Sequence, residues 1–223
     1  IIGYIDENDK ITPISNSRYN EKTRKVTFTA THFSKYSVAY NKKTFSDINN
    51  YQWARKQIET LAARGIVNGT SETIYSPEQN ISRADFLTLL IRTLDVKCEF
   101  DSNFNDVDKN AYYYNAIGIA KELGITNGRG NNTFEPNQSI TRQDMMILIE
   151  RSLKIFDKPL DYNGGKDIKD FKDSCNVSGY ALYSVDNMIK SGLIQGTDDM
   201  LYPLKNTTRA ETAVIMYKIF YIL

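Results

Sequence analysis

Ile81-Ser82-Arg83-Ala84-Asp85 is spelled again as Ile140-Thr141-Arg142-Gln143-Asp144, and a third time as Thr207-Thr208-Arg209-Ala210-Glu211. In each copy Ser or Thr stands three residues before Asp or Glu at the head of an apolar run, close to the capping box that satisfies the free amides of a helix N-terminus. Three helices therefore start here. The residue after the cap is Arg every time, although the first turn of a helix carries partial positive charge and favours acids. A locally unfavourable choice made three times needs a reason outside the helix. One reason is an anion site, in which a cation is added to amides that already attract anions. The other is an ion pair with a carboxylate from a neighbouring repeat.

Outward from this stretch the repetition continues. Twelve residues before Gly65, Gly124 and Gly192 stand Trp53, Tyr112 and Tyr180, and upstream of these lies Phe-x-Asp as Phe45-Asp47, Phe104-Asp106 and Phe171-Asp173. Ala54/Tyr113/Ala181, Ile58/Ile117/Val185 and Leu61/Ala120/Met188 share one helical face. Each glycine stands where a helix C-terminus wants a left-handed residue, followed by an apolar residue that folds back on the last turn. A second glycine follows at Gly69, Gly128 and Gly196, then a loop to Pro77, Pro136 and Pro203, each six residues before the repeated Arg. The second helix carries a stripe such as Leu87/Leu90/Leu94 or Met146/Ile149/Leu153. The unit is thus helix, glycine-bounded loop, capped helix. A longer interval before the third copy comes from Phe156 to Lys169, whose Pro159 and Gly164-Gly165 read as a surface loop. Two short amphipathic helices bury little alone, so the three units should share one core.

Composition narrows the function. The 223 residues are 41% hydrophobic and 25% charged, as in an ordinary globular protein, and the formal charge of +1 lacks the basic surface that nucleic-acid binding needs. The most apolar tail, Ala213 to Leu223, is too short to span a membrane and contains Lys218. Cys98 and Cys175 form no metal spacing, and their pairing is not readable. A single histidine, His32, in a strand-like run, leaves no material for a Ser-His-Asp or His-based metal site, so no catalytic centre, metal or cofactor is expected. Asp106 to Asn110 resembles the start of a calcium loop but has Ala111 where Gly is needed and Ile117 where a bidentate Glu is needed.

Residues 1–40 read as β, with strands expected near Ile1–Ile5, Ile11–Ile14, Val26–Thr31 and Tyr36–Tyr40. They are too few to close a sheet with its own core. They are expected to be the terminal strands of an upstream domain, joined by a linker at Asn41–Thr44; the chain opens without Met, as a piece of a longer protein would. The expected division is 1–40, then repeats at 41–103, 104–160 and 161–223.

Phe-x-Asp, an aromatic, Gly-Ile-x-x-Gly, aromatic-x-Pro and Ile-Thr-Arg-Ala-Glu, in that order three times, resemble the S-layer homology repeat of bacterial surface proteins. The resemblance covers residues 45–223. It implies a mainly α fold in which three helix-loop-helix repeats pack as a pseudo-threefold trimer around a central helical bundle. It also implies a non-catalytic, extracellular module, monomeric, that binds pyruvylated secondary cell-wall polysaccharide and anchors a surface protein to the envelope. A pyruvyl ketal presents a carboxylate that Arg83, Arg142 and Arg209 are suited to bind. Trp53, Tyr112 and Tyr180 either stack on a sugar or pack the first helix. Asp47 and Asp106 either accept sugar hydroxyls or cap that helix. Gly69 and Gly128 either admit a ligand close to the backbone or serve the turn. Repeat three departs most, with Thr207 for Ile and Leu201 for the aromatic, so repeats one and two are the expected sites. A competing reading is a helical-repeat adaptor for a protein, which predicts apolar grooves.

Overall fold

The computed structural model describes residues 1–30, 32–158, 160 and 164–223. Among these residues six α-helices follow a small β segment: α1 Gln52–Ala63, α2 Arg83–Leu94, α3 Tyr114–Glu122, α4 Arg142–Ile155, α5 Leu182–Lys190 and α6 Arg209–Ile222. Each repeat thus supplies two helices, and the protein is mainly α. The capping read from the sequence is present at every second helix. Ser82, Thr141 and Thr208 accept from the amides of Asp85, Asp144 and Glu211 at 3.0, 3.3 and 3.2 Å. The reciprocal bond that completes a capping box forms only at α6, where the Glu211 carboxylate accepts from the Thr208 amide at 2.8 Å.

The first helices end as their glycines require. Gly65, Gly124 and Gly192 take φ of 71°, 74° and 73°. The amide of each donates to the carbonyl three residues back, and the next amide, of Ile66 or Ile125, donates five residues back to Leu61 or Ala120, while in the third repeat Ile194 donates to Met188. In the first two repeats this is the Schellman pattern, and it turns the chain towards the loop.

Helices pack across repeats. α1 packs on α6, α3 on α2 and α5 on α4, so the first helix of every repeat lies on the second helix of another. α2 also touches α4 and α6. At the heads of the second helices the chain makes a closed cycle of backbone bonds: the Ile81 amide donates to Thr207 (2.9 Å), Thr207 to Ile140 (3.0 Å) and Ile140 to Ile81 (3.1 Å). All three side chains are buried there, which is why the first letter of the repeated stretch is apolar or, at Thr207, has its hydroxyl aimed at the Met145 sulfur. A single core cluster runs from Phe45 to Phe220 through all three repeats.

The β segment has β1 Ile2–Ile5 between β2 Ile11–Pro13 and β5 Lys35–Val38, all antiparallel, and a separate ribbon of β3 Arg18–Asn20 with β4 Lys25–Thr27. β3 is absent from the sequence reading, since Arg18-Tyr19-Asn20 has little of the β-branched signal. The segment rests on the helices. Arg64 Nε donates to the Ser17 carbonyl at 3.2 Å, Asn16 Nδ2 to Asp95 at 2.8 Å, and Asn41 Nδ2 to the Ala63 carbonyl at 2.7 Å. The guanidinium groups of Arg18 and Arg64 both lie over Phe220, 5.0 and 5.2 Å from its centroid. His32 packs edge-on against Tyr4, at 4.9 Å. Both cysteines are free. In the expected loop from Phe156 to Lys169, Leu160 is buried, while Pro159 and residues 161–163 lie outside the described residues, as does Thr31 of the expected third strand.

Because each helix finds its partner in another repeat, residues 45–95 expressed alone should remain unfolded, whereas 45–223 should melt cooperatively. Circular dichroism with thermal melting decides this, and a single repeat that melts cooperatively would overturn it.

Candidate binding grooves

The loop ahead of each second helix is held from two sides. One is the Phe-x-Asp carboxylate. Asp47 accepts from the amides of Tyr75 and Ser76 (2.9 and 2.7 Å), Asp106 from Phe134 and Glu135 (2.8 and 2.7 Å), and Asp173 from Leu201 and Tyr202 (2.8 and 2.7 Å). These aspartates therefore tie down the loop. They do not cap the first helix, and the bonds to the loop amides occupy both oxygens of each carboxylate. The tie has a clear purpose: Ser76, Glu135 and Tyr202 have φ of 58°, 59° and 52°, a left-handed conformation uncommon for such residues and disfavoured before the prolines that follow.

The other side is the repeated arginine, which comes from a different repeat. Arg83 Nε donates to the Phe134 carbonyl (2.9 Å), Arg142 Nε to Leu201 (3.0 Å) and Arg209 Nε to Tyr75 (2.8 Å). The arginine amides donate across the same junctions, to Gln138, Lys205 and Gln79. Arg83 and Arg209 also stack on the rings of Phe134 and Tyr75, each at 4.7 Å. The aromatic-x-Pro signature is thus a residue clamped at its amide by its own repeat and at its carbonyl by a neighbour. The second glycines belong to the same packing. A Cβ on Gly69, Gly128 or Gly196 would stand 2.6 Å from the ring of Phe45, Phe104 or Phe171, so these positions serve contact between loop and phenylalanine.

What remains of each arginine differs. Arg83 is buried, 3.8 Å from Asp144 of repeat two; burial first, and then the neighbouring Arg129, lower its pKa from the ordinary guanidinium value. Arg142 lies 3.3 Å from Glu211 of repeat three. These are ion pairs with a neighbouring repeat's carboxylate, the second of the two reasons read from the sequence. Arg209 has no such carboxylate among the described residues, and its Nη2 donates to the Asn68 carbonyl at 2.7 Å.

Each second-helix head therefore faces a groove built by all three repeats: its own acid and glycine-bounded loop, the arginine of one neighbour, and the exposed aromatic of the other. At α2 these are Asp85, Arg209 and Tyr112, whose hydroxyl bonds the Asp85 carboxylate; burial first, then that bond, raise the Tyr112 pKa. At α4 they are Asp144, Arg83 and Tyr180, whose hydroxyl donates to Asp144 at 3.0 Å. At α6 they are Glu211, Arg142 and Trp53, which line a cavity of about 370 Å³ together with the loop Leu193–Thr197. Trp53, Tyr112 and Tyr180 are 55%, 67% and 63% exposed and are not core residues. Two further residues take part once the repeats are docked. Arg129, from the repeat-two loop, lies 2.7 Å from Asp144, and Gln143 donates to both Ser178 and Tyr180. Gln143 was visible as a departure from the repeat; Arg129 carried no signal.

Arginines, acids and solvent-facing aromatics thus recur at three inter-repeat junctions. The family profile described as the S-layer homology domain matches residues 44–87, 103–146 and 170–213, and the chain belongs to that family. Among similar proteins are the amylopullulanase of Thermoanaerobacterium thermosulfurigenes, 38% identical over 86% of this chain and 10% of that protein, and the exoglucanase XynX of Acetivibrio thermocellus, 36% identical over 78% of this chain and 16% of that protein. The surface-layer 125 kDa protein of Lysinibacillus sphaericus is 29% identical over 77% of this chain and 14% of its own length. The chain therefore spans less than a fifth of these relatives. It is a cell-wall anchoring module of the cell surface. Among the described residues no helix is long and apolar enough to cross a membrane.

Asp173 is buried and is the acceptor for two loop amides, so Asp173→Ala should leave both unpaired and cost at least about 2 kcal/mol. That corresponds to a Tm lower by roughly 4–8 °C for a unit of this size. A variant melting with the unaltered protein would show that the loop does not need its carboxylate.

Proposed function

We propose that this module holds its parent protein to the envelope by binding, without catalysis, a secondary cell-wall polysaccharide that carries ketal-linked pyruvate. The observation that carries this reading is the recurrence of one constellation, Arg, acid and exposed aromatic, at three junctions each assembled from all three repeats. An aromatic face stacks on a sugar ring, a guanidinium takes a carboxylate through its planar fork, and an acid accepts a hydroxyl. Purely apolar grooves, as a protein adaptor would use, are not what these junctions present. The cycle of backbone bonds through Ile81, Thr207 and Ile140, with the rotated pairing of first and second helices, supports a pseudo-threefold arrangement about the second helices and a monomer complete in itself. The names of the relatives, enzymes of polysaccharide breakdown and surface-layer proteins, suit a tether carried by diverse cargo.

The test compares binding to purified wall polymer with and without its pyruvyl groups. Binding to the native polymer should fall by the worth of a charge-assisted hydrogen bond, roughly 1.5–3 kcal/mol per occupied groove, once pyruvate is removed. Equal affinity for both forms would overturn the reading. Since Arg83 is buried with its carbonyl and carboxylate partners, Arg83→Ala should mainly lower Tm, whereas Arg142→Ala should lower both Tm and affinity. Melts run beside the binding curves separate the two effects.

A further inference from the structure

We propose that the cleft between the linker, residues 41–44, and the outer face of α1 binds a linear polyanion whose charges are phosphodiesters, through Lys42, Lys43 and Lys56. None of the residues that line it belongs to a second helix, so this site is separate from the three grooves and does not rest on the saccharide reading above.

The cleft encloses about 480 Å³. One wall is the linker with Lys42 and Lys43. The other is the face of α1 that shows Gln52, Lys56, Glu59 and Ala63, three or four residues apart and so in line. Asn41 ties the linker to the end of the helix through its bond to the Ala63 carbonyl, at 2.7 Å. Arg64 closes that end, held by Nη1 on the Thr60 carbonyl at 2.9 Å and by Nε on the Ser17 carbonyl. Lys42, Lys43, Arg55, Lys56 and Arg64 thus face a single acid, Glu59. That acid is already engaged, since its carboxylate accepts from the Thr44 hydroxyl at 2.6 Å and from Arg55 Nε at 3.2 Å. Among the described residues Lys42, Lys43 and Lys56 have no carboxylate within ion-pair distance.

Packing of the repeats does not require this charge. Counted from Gly65 and Gly124, the positions of repeat two that match Lys42, Lys43, Arg55, Lys56 and Arg64 hold Asp101, Ser102, Tyr114, Asn115 and Leu123. Repeat three has Leu182, Tyr183 and Ser191 at the last three of them. The basic cluster therefore belongs to repeat one alone, in a chain whose formal charge is only +1. Like charges gathered without partners repel, and an anionic ligand relieves that repulsion. Lysine ammonium groups are compact point charges that suit phosphate, and the planar fork of Arg55 is turned to Glu59. Lys56 and Arg64 stand just over two turns apart, about 12 Å along the helix, so the cleft meets successive charges of a chain rather than one anion. A bilayer surface is too flat to enter between linker and helix, which favours a soluble chain over a lipid headgroup.

The probe is a synthetic glycerol phosphate hexamer, titrated by calorimetry into the same 223-residue protein. Binding should be saturable, with Kd rising roughly tenfold or more between about 50 and 200 mM salt, as counterion release by about three cations requires. Lys42→Gln/Lys56→Gln should weaken it roughly fivefold or more at unchanged Tm, because both side chains are exposed and unpaired. Lys97→Gln/Lys109→Gln, which removes the same charge outside the cleft, should change Kd less than twofold. A saturating N-acetylhexosamine methyl glycoside with ketal-linked pyruvate should leave the hexamer's Kd unaltered. The inference is overturned by any of four results: no saturable binding, displacement of the hexamer by the glycoside, a Lys42→Gln/Lys56→Gln protein that loses no more affinity than the Lys97→Gln/Lys109→Gln control, or binding to phosphatidylglycerol vesicles without binding to the hexamer. The anchoring function is untouched by these results, since it is decided by the wall polymer with and without its pyruvyl groups.

Discussion

The whole arrangement depends on how a strained loop residue is held. Tyr75, Phe134 and Leu201 precede a left-handed residue and a proline, a conformation the isolated chain would seldom choose. Two charged groups hold each of them in place, an aspartate at the amide and an arginine at the carbonyl. The aspartate is local to the repeat, whereas the arginine is not. Consequently the loop is correctly formed only when the neighbouring repeat has docked, and folding of one unit is coupled to assembly of all three. Such strain persists where the surroundings over-determine it, and these places are often functional.

The same coupling explains why the binding surface lies at the junctions. A helix head must satisfy its first amides, and here those of Arg83, Arg142 and Arg209 are satisfied by carbonyls of another repeat. At α4 and α6 the acid at the third helical position is thereby brought beside a foreign arginine, and at α2 and α4 a tyrosine that stands just before the first helix of yet another repeat bonds the acid. Architecture and site are one set of contacts. For that reason an arginine substitution is ambiguous on its own, and stability must be measured with affinity.

Much of this was legible in the sequence. Glycine-ended first helices, Ser/Thr-capped second helices and apolar stripes are local rules, and all six helices follow them. The solvent exposure of Trp53, Tyr112 and Tyr180 and the partners of the arginines were not, because both depend on the cross-repeat pairing. The acceptor of Arg209 lies 134 residues away and is a backbone carbonyl, which leaves no trace in side-chain chemistry. Asp47 and Asp106 read as caps or sugar ligands because their spacing to the first helix is visible, while their spacing to the loop amides becomes meaningful only once the loop is folded back.

Divergence among the copies follows from the division of labour between clamp and groove. The clamp needs Asp and Arg in every repeat, and all three keep them. The groove residues are free to vary, and they do: Tyr180 and Gln143 close one junction with Arg129, Tyr112 closes another on Asp85, and Trp53, whose indole N–H has no hydrogen-bond acceptor among the described residues, lines an open cavity at the third. Repeat three looked weakest in the sequence because Leu201 and Thr207 depart from the repeated pattern. Those two positions lie in the clamp and the central ring, where Leu201 still supplies its carbonyl and amide and Thr207 stays buried. The departures therefore fall on the side chains of residues whose backbone does the holding, so they cost the fold little. They carry no information about whether the adjoining groove can take a ligand.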